Sequence, residues 1–524
     1  MIYRCYVADC RTEYFMAVNQ LKAGALLNYV MIGVNALVGI TYTPYLLRSL
    51  GKSEYGLYSL AASIIVYLTV LDLGFGNAIV RYTAKFRAEN KIEKQYALFG
   101  TFTLFYSVIA CFVLVVGAII YCNFDAFFTQ SLTAVEIKRA KIIVLLMVCN
   151  LAVTFPLSIY GAIITAYENF VFLRTVQICR IIMTTVVMIG LLTLGYKAIA
   201  LAVVQTTFNI LSLLLNVYYC RSKIRIKLVF GGIGLPLLRE IMVYSFWIFL
   251  SAIVPCFYWY SGQFVLGATV GTVAIAVFAV ADKLRMLYES LSTSISGVFL
   301  PKLTSMVVRG ESDKVVSDIF IRTGRIQYAV LVYVLTGFIL FGDKFISYWA
   351  GDGYGDSYII SLMFFIVLTV PFVQTLGIVI LQARNQMKFR SILYLILAGA
   401  CFGFQISLSP KFGAIGCAAA TVGTLFVGQG IVMNIYYHVV QKIDILNFWI
   451  EILKMSVVPV VFMVSGKILL FYFPIGSLVQ FCIFGIIFSI AYLPMFFFFS
   501  LNRFEKNLCT APLRMVLAKF GYSK

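Results

Sequence analysis

The chain has 524 residues, of which 62% are hydrophobic and only 12% are charged. Its mean hydropathy of +0.97 exceeds what a water-soluble fold of this length could bury, so the chain must be dissolved in a bilayer. The formal net charge of +20 would suit nucleic-acid binding. However, the basic residues flank apolar runs and alternate from loop to loop, which favours membrane topology and contact with anionic lipid.

Apolar runs long enough to cross about 30 Å of hydrocarbon recur along the whole chain. They predict about fourteen spans, at residues 25–47, 55–80, 97–121, 142–165, 171–194, 198–219, 241–266, 269–299, 327–350, 358–382, 389–408, 412–437, 450–473 and 476–500. The residues before Met16 resemble neither a cleavable signal nor a span. We therefore expect the first span to be entered from Met16, which would also serve as a translation start.

Lysine and arginine are concentrated in the loops on one side of the predicted spans, as the positive-inside rule expects when the spans are assigned correctly. Opposite loops hold only scattered basic residues, the largest group being Lys138, Arg139 and Lys141. We therefore expect both termini in the cytoplasm. The basic loops on that side carry Arg81, Lys85, Arg87, Lys91, Lys94, Arg221, Lys223, Arg225, Lys227, Arg239, Lys302, Arg309, Lys314, Arg322, Arg325, Arg384, Lys388 and Arg390.

An internal repeat divides the chain into similar halves. An even number of predicted spans, six, separates each residue of the repeat from its match. The two halves therefore have the same orientation in the membrane, an arrangement typical of transporters. It predicts six-helix lobes over residues 16–220 and 221–440, a helix pair over 441–500 and a cytoplasmic tail over 501–524. A weaker match relates the segment at Gly51 to that at Gly271. The main match of the repeat aligns Gly161, Asn169 and Arg174 with Gly377, Asn385 and Arg390, at the same spacing.

Cysteine and histidine give no sign of a metal site or cofactor. The twelve cysteines form no CxxC pair and fall mostly in apolar runs, where they act as small hydrophobes. The single histidine, His438, lies at a predicted helix end. Coupling to H⁺ or Na⁺ would therefore have to use carboxylates.

Charges inside the predicted spans are few. Each costs about 2.5 to 3.5 kcal/mol on insertion scales, so such residues usually face a cavity or a partner. Lys467 is close enough to a helix end to reach the interface and is set aside. The set comprises Asp72, Arg180, Asp282, Lys283, Arg285, Glu289 and Lys467.

The eighth span is the richest in charge. Asp282, Arg285 and Glu289 recur at three- and four-residue intervals and so share one helix face, which Ser292 and Ser296 continue. One interpretation is a chain of intrahelical ion pairs that locks the bundle, and the other is a substrate cavity. Lys283 projects about 100° away from that face.

The second span ends in a polar motif, Leu71 to Arg81, with two glycines beside an acid. On a continuous helix Asp72 would share a face with Thr69 and Gly76, and Asn77 would share another with Arg81. The motif serves either glycine-mediated packing or substrate binding. Arg180, well inside the fifth span, would either meet an anionic head group or reach back to the interface.

The segments Tyr42–Gly51, Glu54–Tyr58 and Asp72–Arg81 resemble the Wzx-type polysaccharide flippases of the MOP exporter superfamily. The resemblance implies an all-α membrane protein with two MATE-like lobes around a polar cavity. It implies transfer of undecaprenyl-diphosphate-linked oligosaccharide to the outer leaflet of the bacterial cytoplasmic membrane, with polymerase or export machinery as further partners. The candidate cavity residues are Asp72, Asn77, Arg81, Arg180, Asp282, Lys283, Arg285 and Glu289.

Other functions stay open. A flippase for the lipid-linked peptidoglycan precursor would meet the same diphosphate, and a cation-coupled multidrug exporter would share the fold with twelve spans and a carboxylate-dominated cavity. A membrane glycosyltransferase or polymerase would need a long outer loop, and the longest, about 122–140, is short. A purely structural membrane protein would not need charges inside its spans.

Overall fold

The computed structural model describes residues 2–231, 234–384, 386–508 and 510. Within these ranges every regular element is helical. Asn385 and residues 511–524 of the expected tail lie outside them. The α-helices are α1 Ile2–Thr69, α2 Phe75–Ala88, α3 Ile92–Phe128, α4 Ala134–Ala166, α5 Phe170–Thr193, α6 Ala198–Tyr219, α7 Leu235–Thr269, α8 Thr272–Val308, α9 Asp313–Ala350, α10 Gly355–Val373, α11 Thr375–Ala383, α12 Lys388–Leu425, α13 Met433–Val439, α14 Ile445–Tyr472 and α15 Leu478–Phe499.

These helices confirm the predicted spans. Ten helical stretches of the described chain are long and apolar enough to cross a bilayer, and two of them, Leu26–Ala88 and Lys388–Val439, hold two predicted spans each. α7 and α8, with 35 and 37 residues, complete the set of fourteen. The first double stretch bends at Gly51 and the second at Gly413, where positive φ angles of 76° and 58° interrupt the helix at low steric cost.

The parallel repeat is confirmed by matching local structures. Gly51 and Gly271, the weakly matched pair, both take positive φ (76° and 121°) at the end of the first span of each half. The stacked rings of Phe172 and Tyr219, with centroids 3.9 Å apart, have a counterpart 217 positions later in Phe389 and Tyr436, at 4.2 Å. Since each pair joins the fifth and sixth spans of its half, both halves use the same helix contact.

By packing, the chain divides into two compact units, Met1–Ala276 and Val277–Lys524. In unit 1, α4 packs against α3 and α6, and α1 packs against α5 and α7. An apolar cluster in this unit joins α1, α5 and α6; its buried members are Leu46, Leu50, Met188, Leu192, Leu201 and Val204. In unit 2, α9 packs against α10 and α14.

Two basic residues of the loops that the charge rule places on the outer side form ion pairs. Arg139 forms an ion pair with Glu54, whose residue surface is only 4% exposed, and Lys141 pairs with Asp125. The second oxygen of Glu54 accepts a hydrogen bond from the backbone N–H of Ala198 (3.3 Å), at the start of α6. Glu54 therefore joins α1, α4 and α6, which gives Arg139 a role in helix packing.

One residue assigned to a cytoplasmic loop is buried. Arg325 lies within α9 and is 4% exposed, so its interpretation as a loop charge is wrong. Its Nε donates to Glu505 and its Nη1 donates to Glu451, both at 2.6 Å. Because Glu451 belongs to α14 and Glu505 follows α15, these ion pairs fasten the C-terminal helix pair to α9 within unit 2.

Candidate functional site

The second span is broken where the sequence motif lies. α1 ends at Thr69, a 3-10 turn covers Val70–Asp72, and both Leu73 and Gly74 take left-handed conformations, with φ of 53° and 71°. The face that a continuous helix would give to Thr69, Asp72 and Gly76 therefore does not exist. The bend that the two glycines permit is confirmed, although a leucine shares the unfavourable backbone conformation.

Asp72 holds this break in place. Its Oδ1 accepts a hydrogen bond of 2.7 Å from the hydroxyl of Tyr106, on α3. Its carboxylate also interacts with the backbone N–H groups of Gly74 and Gly76, at the start of α2. A negative charge is favourable at a helix N-terminus, where N–H groups lack intrahelical partners. Asp72 is therefore a residue that positions α2, as the packing interpretation of the motif requires.

α2 has one packed face and one polar face. Asn77 and Arg81, predicted to share a face, are both exposed, and Lys85 continues the stripe one turn later. The sequence pattern places Arg81 and Lys85 in the loop after the second span, whereas in the structure α2 continues past both to Ala88. The opposite face is buried against α3, α4 and α7 by Phe75, Ala78, Ile79, Tyr82 and Phe86.

Arg180 on α5 belongs to a polar network that is centred on Asn209 of α6 and reaches α4. Its Nη1 donates to Oδ1 of Asn209 at 2.8 Å. The Nδ2 group of Asn209 in turn donates to Oδ1 of Asn150 (2.9 Å) and to Oγ1 of Thr154 (2.8 Å). Sequence reasoning missed these three partners because neutral polar residues are common in spans. Their signal would have been amides on neighbouring spans at similar depth.

The ion pairs predicted within the eighth span are present. Nε of Arg285 donates to Asp282 at 2.5 Å, and its Nη1 donates to Glu289 at 2.7 Å. Asp282 and Arg285 are 6% and 4% exposed, whereas the side chain of Glu289 is 40% exposed. Lys283, half-buried, projects elsewhere. The charged group thus presents Glu289 as its accessible end.

The serine of the same face is used in packing. Oγ of Ser292 donates to the carbonyl of Phe372 at 2.5 Å and accepts from Nε2 of Gln327 at 3.1 Å. Gln327 also donates to Thr375, next to the break between α10 and α11. The face predicted from helix periodicity is therefore real, but its lower half joins α8 to α9 and α10.

The structure thus places seven of the eight candidate residues in three sets, and Lys283 projects away from the third. Asp72, Asn77 and Arg81 lie around the start of α2, Arg180 has its own amide network, and Asp282, Arg285 and Glu289 form one ion cluster. Within the described ranges, no group of three histidine, cysteine or carboxylate side chains is placed to hold a metal ion.

Comparison with known proteins finds a family model and two relatives described as a transporter and a flippase. A model of the family described as polysaccharide biosynthesis protein matches residues 21–307. A putative O-antigen transporter of Shigella flexneri is 20% identical over 74% of this chain and 90% of its own length. The probable flippase AglR of Haloferax volcanii is 22% identical over 78% of this chain and 81% of its own.

Solved structures show the same fold. The lipid II flippase MurJ, in an inward closed conformation, superposes with a TM-score of 0.69 at 15% identity and covers 94% of this chain and 99% of its own. An inward-facing MATE multidrug transporter of the MOP superfamily has a TM-score of 0.60 at 13% identity, over 78% of this chain and 96% of its own. Because the family model matches more than half of the 524 residues, the chain belongs to the polysaccharide biosynthesis protein family, the Wzx-type flippases that its motifs resemble.

Proposed function

We propose that this flippase moves undecaprenyl-diphosphate-linked oligosaccharide to the outer leaflet of the bacterial cytoplasmic membrane by alternating access. Both termini would lie in the cytoplasm, on the side of the basic loops. The family and the relative described as a putative O-antigen transporter support a glycan carried on a lipid.

The exposed cationic stripe of α2 carries the proposal. Asn77, Arg81 and Lys85 are exposed on a helix whose other face is buried. Two cations one helical turn apart, on an exposed face at the predicted cytoplasmic end of the span, give that face the charge to bind an anionic ligand. A diphosphate is such a ligand, because charge-assisted hydrogen bonds to its oxygens are the strongest that lysine and arginine form.

The ion cluster of α8 has a different proposed role. Arg285 already donates to two carboxylates, so its charge is balanced within its own helix. The half-exposed Glu289 is then the group best placed to take up H⁺ or Na⁺. We propose that this cluster carries the coupling ion, and that the chain needs no organic cofactor.

Reconstitution tests the proposed function. The full chain is placed in proteoliposomes with an undecaprenyl-diphosphate-linked oligosaccharide, and the glycan reaching the opposite leaflet is measured with a membrane-impermeant glycosidase or lectin. We expect wild-type protein to transfer the glycan and Arg81→Gln to do so at least about tenfold more slowly, because a charge-assisted contact is lost.

Lys467→Gln is the matched control, since it removes an exposed cation from α14 and should transfer normally. Equal rates for Arg81→Gln and wild type would refute the role of the stripe. Transfer of the lipid-linked peptidoglycan precursor alone, or export of organic cations with no glycan transfer, would replace the proposed substrate by one of the alternatives.

A further inference from the structure

The hydrogen bonds around Arg180 satisfy Asn209 and Thr154 but leave some N–H donors of Arg180 and Asn150 without an acceptor among the described residues. Oδ1 of Asn209 accepts from Arg180, and its Nδ2 group donates to Asn150 and Thr154. Oγ1 of Thr154 also donates to the backbone carbonyl of Asn150, at 2.7 Å. Asn209 and Thr154 are thus satisfied, and they fix the guanidinium and the Asn150 amide in position.

What remains free is a set of donors. In the part of the chain that the structure describes, the other N–H groups of Arg180 and the Nδ2 group of Asn150 donate to no protein atom, and no carboxylate oxygen lies within 4.0 Å of Arg180. Both residues are half-exposed, so these donors are accessible. A guanidinium carries five N–H donors and no acceptor, so the matching ligand must supply acceptor oxygens and negative charge.

The arrangement of α5 shows which part of a lipid-linked ligand can reach these donors. Arg174, Gln177 and Arg180 follow one half-buried face of the helix. Ile182 and Val186, 43% and 58% exposed, lie on the opposite face. The apolar face suits acyl chains, and the polar face suits a head group. The cluster is therefore turned away from the surface where a lipid tail would lie.

The contrast with Arg285 decides between the candidate cations. Arg285 is 4% exposed and its charge is already balanced by Asp282 and Glu289. Arg180 has only an amide as its described partner. An anion would have to displace a carboxylate at Arg285, whereas at Arg180 it completes an unbalanced charge in a low-dielectric region.

We propose that Arg180 and Asn150 form an oxyanion subsite within unit 1 that binds the diphosphate oxygens of the lipid-linked substrate, with Asn209 and Thr154 as positioning residues. This proposal rests on the proposed function, and it adds a second set of donors for the diphosphate to the α2 stripe. The guanidinium and the amide donate to phosphate oxygens, while Asn209 keeps the guanidinium from turning back to the interface.

The test is a binding measurement on the full-length protein in nanodiscs, with undecaprenyl diphosphate, undecaprenol and inorganic pyrophosphate as separate probes. We expect Arg180→Gln to weaken binding of undecaprenyl diphosphate at least about tenfold, the usual effect of losing a charge-assisted bond. Arg180→Lys should fall between, because lysine keeps the charge without the planar donors. Asn209→Leu should weaken diphosphate binding and leave undecaprenol binding unchanged, which a merely structural role would not do.

Lys467→Gln is again the control and should bind as wild type. If folded Arg180→Gln keeps wild-type affinity for undecaprenyl diphosphate, the subsite is wrong while the proposed function stands. If wild-type protein binds undecaprenyl diphosphate no better than undecaprenol, both fail. Arg180-dependent binding of inorganic pyrophosphate that is tighter than that of undecaprenyl diphosphate would overturn the lipid-linked source of the anion.

Discussion

Removing the two partners of the buried ion pair in α8, singly and together, separates a structural role from a functional one. Arg285→Ala would leave the carboxylate of Asp282, 6% exposed, without its described ion-pair partner. Breaking a buried pair in this way costs about 3–5 kcal/mol. Asp282→Ala should cost less, because Glu289 still balances Arg285 at 2.7 Å.

The double variant Asp282→Ala/Arg285→Ala removes both buried charges. Since replacing a whole buried pair is often close to neutral, the double variant should recover most of the stability lost by Arg285→Ala. Stability is measured by heating the detergent-solubilised protein and quantifying what stays monodisperse. Surface glycan is measured in a strain that lacks the flippase.

We expect both single variants to abolish surface glycan while reaching the membrane, and the double variant to regain stability without regaining glycan. The proposed coupling role of the cluster would be refuted if both single variants restored full glycan display. Full display by the double variant would show that the pair serves only to lock the bundle. Equal stability loss in Asp282→Ala and Arg285→Ala would refute the compensation by Glu289.

Two further predictions concern packing. Gly56→Ala should prevent folding, because a Cβ there would lie 2.0 Å from the carbonyl oxygen of Thr272. Gly33→Ala is the control and should be tolerated, because the space around that residue is open. Membrane yield and gel-filtration profiles compare the two variants. Arg325→Met should lower the free energy of unfolding by about 3–5 kcal/mol, because it leaves the buried carboxylate of Glu505 without its described ion-pair partner. A normal melting profile of the solubilised protein would contradict the role of Arg325 in holding the helix pair.

The spans and the repeat could be predicted because they depend on composition and local order. A run of about 20 apolar residues has to cross the bilayer wherever it lies in the chain. The ion pairs of α8 were also predictable, since residues three and four apart meet on any helix. Arg285 with Asp282 and Glu289 needed no knowledge of the other helices.

Contacts between distant segments could not be predicted in this way. The sequence pattern indicates that Arg325 is a loop charge. In the structure its partners are Glu451 on α14 and Glu505 after α15, more than 120 residues away in the chain. The Arg180 network joins three helices through Asn209 and Asn150, and no spacing along the sequence encodes that meeting.

The sequence by itself determined that this protein is a membrane protein of two parallel repeats with an added helix pair, because hydropathy and loop charge act locally. Only the tertiary structure decided what each charged residue faces. The break at Leu73 is the clearest case, because a leucine takes the left-handed region only where surrounding contacts hold it there. Tyr106, some 30 residues later, supplies one of those contacts through Asp72.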